Sequence, residues 1–272
     1  MSLDAATVAG LWCFAFARSM GLHLPVLAPL LLGMGTWLVY VIDRILDGLR
    51  PDQTLRKRHY FYAAHRSVFL WAALAVGSCL GWLTLTRMPS EVRREDSLLF
   101  VAALIYFCLV HRHLAERWLP KELAVGLLFA AATAVPTWAR LSIGHARLVP
   151  AVALFAALCW LNCVAIECWE QPSRLTYKPP IPGRPAHVST RWAGAHLQKL
   201  LAAIGLAAAI LAVCSWIGSG RGLLGIYLAA CVSAILSFLL RWATPRLGAD
   251  QLRVAADAAL LTPILFLPLF RR

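Results

Sequence analysis

Long apolar runs, separated by short charged or Pro- and Gly-containing segments, extend along all 272 residues of the chain. Each run is close to the roughly 20 residues that a helix needs to cross the hydrocarbon core of a bilayer. The pattern predicts an all-α membrane protein, a bundle of about nine transmembrane helices in a single domain over residues 1–272. The predicted spans are 4–21, 24–46, 66–86, 97–114, 120–138, 148–169, 195–217, 222–240 and 252–270.

Composition supports this class of protein. Hydrophobic residues make up 60% of the chain and charged residues only 14%, whereas a soluble domain has about a quarter of its residues charged. The net charge of +13 comes from basic residues that are divided among short loops. Nucleic-acid binding needs such residues gathered on one domain, so we expect no nucleic-acid partner, and the sequence indicates no protein partner.

The distribution of Lys and Arg predicts how the chain is oriented. Most of the 26 basic residues lie in the loops that follow the second, fourth, sixth and eighth predicted spans. Basic loops remain in the cytoplasm of bacteria, where they also face anionic lipid. We therefore expect a protein of the bacterial inner membrane with its N-terminus and these four loops in the cytoplasm.

Two carboxylates occupy the last turn of the second predicted span. Asp43 and Asp47 are four residues apart, so they lie on one face of the helix. Acidic groups near a membrane are costly, and the negative end of the helix dipole makes them more so unless a cation binds. Magnesium, a hard cation that prefers oxygen ligands, is the expected partner. Tyr40 and Arg44 lie beside them; the alternative is a merely charged helix end.

A second polar group ends the sixth predicted span. When the segment is drawn as a helix, Asn162 and Glu170 lie about 80° apart and Glu167 lies about 60° from Glu170, so all three could face one cavity. They lie at the same predicted depth and on the same side as the first acidic pair. Acids that hold Mg²⁺, together with nearby Arg and Lys, are typical of a diphosphate site. An ion pair between Glu170 and Arg174, one turn later, is the alternative.

Further along the chain, two other charged positions invite an interpretation. Lys121 follows Pro120 at a predicted helix start, where free backbone N–H groups also favour phosphate. A plain basic residue at the membrane border is the alternative for Lys121. Asp257 lies inside the ninth predicted span, four residues after Arg253, and we expect these two to form an intramembrane ion pair.

The topology and the two acidic helix ends resemble the UbiA superfamily of intramembrane prenyltransferases, which carry NxxxDxxxD on the second helix and a DxxxD-type motif on the sixth. Asp43 and Asp47 match the first pair of acids, but Val39 stands at the Asn position. No DxxxD follows on the sixth span, where only glutamates are available. The segment PKELAVGLLFAAATAVPTW resembles the fifth helix of these proteins, and RVAADAALLTPILFLP resembles the last helix of a divergent bacterial branch.

The resemblance implies a function and a site. It implies Mg²⁺-dependent transfer of a prenyl group from a prenyl diphosphate to an aromatic or lipid-forming acceptor. The implied metal ligands are Asp43, Asp47 and Glu170, with Glu167 as a further catalytic carboxylate. The implied substrate-binding residues are Trp37, Tyr40, Arg44, Lys121, Asn162 and Arg174.

Three other functions stay open at the level of sequence. A lyase of the same architecture would quench the allylic cation within its own chain and make a terpene without an acceptor. A non-catalytic lipid-binding protein would have kept the fold and lost the second metal site. A transporter is disfavoured, because its coupling acids usually sit near the membrane midplane, whereas these acids lie at one membrane face.

Overall fold

The computed structural model describes residues 3–48, 61–62, 64–90, 93–94, 97–98, 101, 105, 120–175, 187–218 and 221–271. Within these ranges all regular structure is helical and no strand occurs. The α-helices are α1 (Leu3–Ser19), α2 (Leu27–Gly48), α3 (Arg66–Arg87), α4 (Lys121–Trp138), α5 (His145–Leu175), α6 (Val188–Ala195), α7 (Leu197–Ile217), α8 (Leu224–Ala243) and α9 (Ala249–Ala258). Two 3₁₀ helices cover Arg221–Leu223 and Thr262–Arg271.

Six segments of the described chain are long and apolar enough to cross a membrane. This confirms the predicted class of all-helical membrane protein. The six correspond to the predicted spans 24–46, 66–86, 148–169, 195–217, 222–240 and 252–270. They are Leu27–Leu46, Arg66–Arg87, His145–Glu170, Leu197–Ile217, Leu224–Ala243 and Ala249–Phe270.

The other three predicted spans differ among themselves. Predicted span 97–114 lies almost entirely outside the described residues. Spans 4–21 and 120–138 form α1 and α4 but are not among the six. Helix α1 has 17 residues, which cover about 26 Å against a hydrocarbon core of about 30 Å. The architecture is therefore confirmed at the level of helices in a membrane, and the count of nine stays a prediction.

A Schellman motif ends α1 and turns the chain toward α2. Gly21 has a φ of 75°, which only glycine adopts at little cost. The Gly21 N–H donates to the Arg18 carbonyl at 3.0 Å, and the Leu22 N–H donates to the Ala17 carbonyl at 2.9 Å. These two bonds satisfy carbonyls that the helix end leaves open. The start of α1 and the end of α2 consequently lie at the same end of the bundle.

The main core of the protein is built around α1. Trp12 and Phe16 are fully buried, and the Trp12 ring stacks on Phe155 of α5 with 4.2 Å between ring centroids. The Trp12 indole N–H donates to the carbonyl of Leu260 at 2.7 Å, across 248 residues of sequence. Helix α8 and the C-terminal 3₁₀ segment complete this core.

Helices α4 and α5 approach closely at one glycine. A β-carbon added to Gly126 would lie 2.7 Å from the backbone nitrogen of Trp160. Small residues at such crossings let helix backbones touch, which is a frequent source of packing energy inside membranes. This contact fixes the first turns of α4 beside the second half of α5.

The end of the chain is not one continuous helix. Helix α9 ends at Ala258, and a 3₁₀ segment begins at Thr262, directly before Pro263. Proline disfavours the α-conformation in the residue before it and lacks an N–H for the helix ladder. The Thr262 hydroxyl donates to the Ala229 carbonyl at 2.8 Å and lies 2.6 Å from the Ser233 hydroxyl. The predicted span 252–270 is thus composed of two helical segments joined at a proline.

Candidate functional site

An ion pair joins the end of α2 to the start of α4. Asp43 Oδ1 lies 3.9 Å from Lys121 Nζ, and the two side chains are 21% and 48% exposed respectively. We call these two residues the outer pair. The structure therefore brings together two of the residues predicted for a diphosphate site, although 77 residues of sequence separate them.

The start of α4 explains why a carboxylate is favourable beside Lys121. Pro120, with φ −62° and ψ 122°, directly precedes Lys121 and makes no side-chain capping bond. The first N–H groups of a helix have no partner within it and carry partial positive charge. A lysine at this position adds to that charge, so the carboxylate of Asp43 offsets an otherwise unfavourable arrangement. The same charge makes this helix start suitable for an anionic ligand.

Glu122, the next residue of α4, ties this region to α6. Thr190 of α6 donates from its hydroxyl to Glu122 Oε2 at 2.7 Å. Glu122 also acts electrostatically on Cys163 and Cys168 of α5. The sequence analysis did not select Glu122 or Thr190, although an acid beside Lys121 in an apolar segment was an available signal.

The predicted acids of α5 lie near this region. Glu167 is half-buried and Glu170 is 7% exposed, and both make polar interactions. Cys163, one turn before Glu167, is within electrostatic reach of Lys121 and Glu122. Helix α5 therefore presents Cys163 toward the start of α4, as α2 presents Asp43.

The remaining predicted site residues have different positions. The backbones of Asp47 and Arg174 belong to α2 and α5, but their side chains lie outside the described part of the structure. Trp37 packs against the buried cluster Val41, Ile45 and Tyr62, on the side of α2 that faces α3. Arg44 lies one turn after Tyr40 and acts on it electrostatically.

A second polar group involves residues of α1, α2, α5 and α9. Asn162 Nδ2 donates to Asp257 Oδ1 at 2.9 Å, which joins α5 to α9. Asp4 of α1 and Arg253 of α9 are within electrostatic reach of Asp257. Tyr40 of α2 interacts electrostatically with Asp257. We call Asp4, Tyr40, Asn162, Arg253 and Asp257 the inner polar cluster.

This cluster changes the predicted roles of two residues. Asp257 was expected to pair with Arg253 on its own helix; Arg253 is within electrostatic reach, but the hydrogen bond of the Asp257 carboxylate comes from Asn162 on α5. Asn162 was predicted beside the acids of α5 and instead bonds Asp257. The sequence analysis did not select Asp4, although it is a charge at the start of an apolar segment.

Metal binding at the outer pair depends on few protein ligands. Among the described residues, no three His, Cys, Asp or Glu side chains converge as a metal site. Magnesium usually keeps several waters and binds through one or two carboxylates plus substrate phosphates. Asp43 supplies one accessible carboxylate, and Asp47 follows one turn later on the same helix. A carboxylate such as that of Asp43 is the kind of ligand that such a magnesium site uses.

The comparisons with known proteins found no match. No family model, no curated protein and no solved structure matched this chain. The resemblance to the UbiA superfamily therefore depends on the predicted topology and on Asp43 and Asp47, and it stays a prediction.

Proposed function

We propose that this protein transfers a prenyl group from a prenyl diphosphate to an aromatic or lipid-forming acceptor within the membrane. The outer pair is the observation that carries the proposal. Asp43 and Lys121 come from two helices and meet at a helix start, at one end of a bundle with six apolar helices. A diphosphate needs cations and N–H donors, and its prenyl chain needs apolar surroundings.

The side chains of the outer pair have separate roles in this reaction. The Lys121 ammonium and the free N–H groups at the start of α4 bind diphosphate oxygens. Asp43 and Asp47 would hold Mg²⁺, and Glu167 and Glu170 of α5 are the further carboxylates proposed to assist. Magnesium, when bound, offsets negative charge on the leaving diphosphate. Lys121 then stabilises the charge that develops as the allylic C–O bond breaks.

In this proposal, the site opens to one side of the membrane. The predicted cytoplasmic loops follow α2, precede α4 and follow α5, so the outer pair faces the cytoplasm of a bacterial cell. Water-soluble diphosphate leaves to that side, while the prenyl chain lies among the apolar helices. Membrane lipid surrounds the bundle and delivers both lipophilic substrates.

The test uses purified protein in detergent with geranyl, farnesyl or geranylgeranyl diphosphate and Mg²⁺, with and without a membrane lipid extract. We expect diphosphate release and a prenylated product that depend on the extract. Release without the extract, together with a volatile hydrocarbon, would show a terpene lyase. Binding of diphosphate without turnover would show the non-catalytic lipid-binding protein.

Charge removal at the two acids sharpens this test. Asp43→Asn and Asp47→Asn are expected to lower the transfer rate by roughly 100-fold or more each, because each removes a metal ligand. Asp250→Asn is the matched control, since Asp250 is an exposed acid in the first turn of α9. Wild-type rates in both site variants would remove the acids from the mechanism.

Lys121→Met tests the cationic half of the outer pair. We expect the KM for the prenyl diphosphate to rise about tenfold or more, because a charge-assisted contact to phosphate is lost. Lys199→Met, at an exposed position of α7, should leave the KM unchanged. An unchanged KM in the Lys121 variant would separate Lys121 from the diphosphate.

A further inference from the structure

The turn between α4 and α5, residues 139–144, lies at the end of α4 opposite the outer pair. Helix α4 has 18 residues, so about 27 Å along its axis separate the turn from the outer pair. Arg140 lies in this turn and Arg147 in the first turn of α5, and neither turn contains an acid. We call residues 138–147 the basic turn.

Both arginines of the basic turn are placed beside the connection between the helices. Arg140 Nη1 donates to the Pro136 carbonyl at 2.8 Å, which fixes its guanidinium at the end of α4. Arg147 Cδ lies 3.7 Å from the position that a β-carbon on Gly144 would take. No ion pair joins either arginine to a carboxylate among the residues that the structure describes. Within that part of the chain, their charge is therefore not neutralised.

The start of α5 adds positive charge to the basic turn. Gly144, with a φ of 84°, directly precedes the helix and has no side chain that could cap it. The first N–H groups of a helix have no partner within it and carry partial positive charge. An acid in the first turn commonly offsets this charge, but α5 has Arg147 there instead. Two arginines and a helix start thus favour an anionic group at the same place.

The basic turn also exposes apolar side chains. Ile143 is 81% exposed and Trp138 is 37% exposed. The His145 ring centroid lies 4.6 Å from that of Trp138, which holds the indole beside the start of α5. The apolar segment His145–Glu170 begins at this turn, so the turn lies at the border of the membrane. Tryptophan is typical of that border, where arginine reaches headgroups while its stem stays among apolar groups.

We propose that the basic turn binds the headgroup of an anionic phospholipid, with Arg140 and Arg147 on the phosphate group. Phosphatidylglycerol has this chemistry, because its headgroup keeps the phosphate charge and its acyl chains can lie beside the exposed apolar side chains. Guanidinium groups match phosphate oxygens in geometry, and basic pockets between membrane helices bind anionic headgroups. The site is separate from the outer pair and does not depend on prenyl transfer.

The test is a lipid titration of the full-length protein in dodecyl maltoside, followed by native mass spectrometry. Phosphatidylglycerol is compared with phosphatidylcholine of the same acyl chains, which has a phosphate group but no net charge. We expect the Kd of the first bound phosphatidylglycerol to be about tenfold or more below that of phosphatidylcholine. Equal values of Kd for the two lipids would overturn the proposal.

Replacement of both arginines by glutamine should remove this preference. In Arg140→Gln with Arg147→Gln, we expect the Kd for phosphatidylglycerol to rise about tenfold or more, because each arginine contributes a factor of about five. The Kd for phosphatidylcholine should change by less than about twofold, since that lipid has no net charge to lose. A wild-type Kd for phosphatidylglycerol in this variant would overturn the assignment of the two arginines.

The matched control removes two exposed arginines elsewhere in the chain. Arg241 and Arg246 lie at the end of α8 and in the turn after it. Arg241→Gln with Arg246→Gln lowers the net charge by the same amount, and we expect the Kd for phosphatidylglycerol to change by less than about twofold. Equal losses in the two double variants would show that net charge sets the affinity, and would overturn a site at the basic turn.

Arg147→Gln keeps the test decisive if the double variant does not fold. The Arg140 side chain also bonds the end of α4, whereas the Arg147 side chain is exposed. We expect a rise of about fivefold in the Kd for phosphatidylglycerol from Arg147→Gln alone, and less than about twofold from Arg147→Lys, which keeps the charge. An unchanged Kd in Arg147→Gln would overturn the role of Arg147.

Glycerol 3-phosphate distinguishes a lipid from a soluble phosphate. It carries the phosphate chemistry without acyl chains, so the apolar side of the basic turn contributes nothing to its binding. We expect that a large molar excess of glycerol 3-phosphate leaves phosphatidylglycerol bound to the wild type. Displacement of the lipid by glycerol 3-phosphate would show a site for soluble phosphates and overturn the assignment of a phospholipid.

Discussion

Helices α1 and α3 are both apolar, yet they have opposite environments. Helix α1 buries Val8, Trp12 and Phe16 against α5 and the C-terminal segment. No residue of α3 is buried against the described part of the protein, and Trp71 is 71% exposed. Apolar character therefore identifies a membrane helix here, but it does not say whether the helix faces protein or lipid.

The difference has a physical cause. Lipid tails are as apolar as leucine, so hydrophobic burial does not draw one membrane helix against another. Close packing and hydrogen bonds between helices determine which helices associate. Helix α1 has both, because Trp12 stacks on Phe155 and donates to the Leu260 carbonyl. Helix α3 also contains small residues, among them Gly77 and Gly81, so composition alone does not separate the two helices.

Truncation of a tryptophan in each helix should give the largest contrast. Trp12→Ala is expected to lower the free energy of unfolding by about 3–5 kcal/mol, because it opens a cavity and leaves the Leu260 carbonyl without its donor. Trp71→Ala should change it by about 0.5 kcal/mol or less. Reversible unfolding in mixed micelles with increasing sodium dodecyl sulfate measures both. Equal losses would contradict the assignment of α1 to the core.

A glycine in each region gives the next contrast. Gly126→Ala places a β-carbon against the Trp160 backbone, and we expect a loss of about 1–3 kcal/mol from overpacking. Among the described residues outside its own stretch of helix, none places a heavy atom within 4 Å of a β-carbon added to Gly81 of α3. Gly81→Ala should be neutral or stabilising by up to about 1 kcal/mol, since alanine is the better helix former. Destabilisation by both changes in the same unfolding assay would mean that α3 is packed as tightly as α4.

Two threonines give the smallest contrast. Thr262→Val removes a buried hydroxyl that bonds Ala229 and Ser233, at an expected loss of about 0.6–1.7 kcal/mol for an interhelical hydrogen bond in a membrane. The Thr86 hydroxyl of α3 donates to the Trp82 carbonyl on its own exposed helix face. Thr86→Val should therefore lie within about 0.5 kcal/mol of the wild type. Each variant replaces one hydroxyl group with a methyl group. An equal change in the free energy of unfolding would show that burial does not set the contribution of these two hydroxyl groups.

The outer pair shows how far the site was predictable. Asp43 and Lys121 each stood out as charges at the border of an apolar run, and their helix positions followed from spacing and from Pro120. Their contact across 77 residues was not predictable from spacing, because periodicity orients residues on one helix and says nothing about its neighbour.

The partners of Asp257 in the inner polar cluster could not be predicted from the sequence. Asp257 has Arg253 one turn before it, and local spacing favoured that pair. The tertiary structure adds a hydrogen bond from Asn162 on α5 and brings Asp4 of α1 within electrostatic reach. A local rule compares only residues on one helix, while a bundle offers each polar group partners from every neighbour.

The sequence by itself determined that the chain is helical, apolar and membrane-spanning, since hydropathy and segment length are properties of each segment alone. It also determined which charges stand at segment ends. Only the tertiary structure decided that α1 is central and α3 peripheral, and that Asp4, Tyr40, Asn162 and Asp257 lie within reach of one another. Those outcomes depend on interhelical packing and hydrogen bonds, which involve pairs of segments distant in the chain.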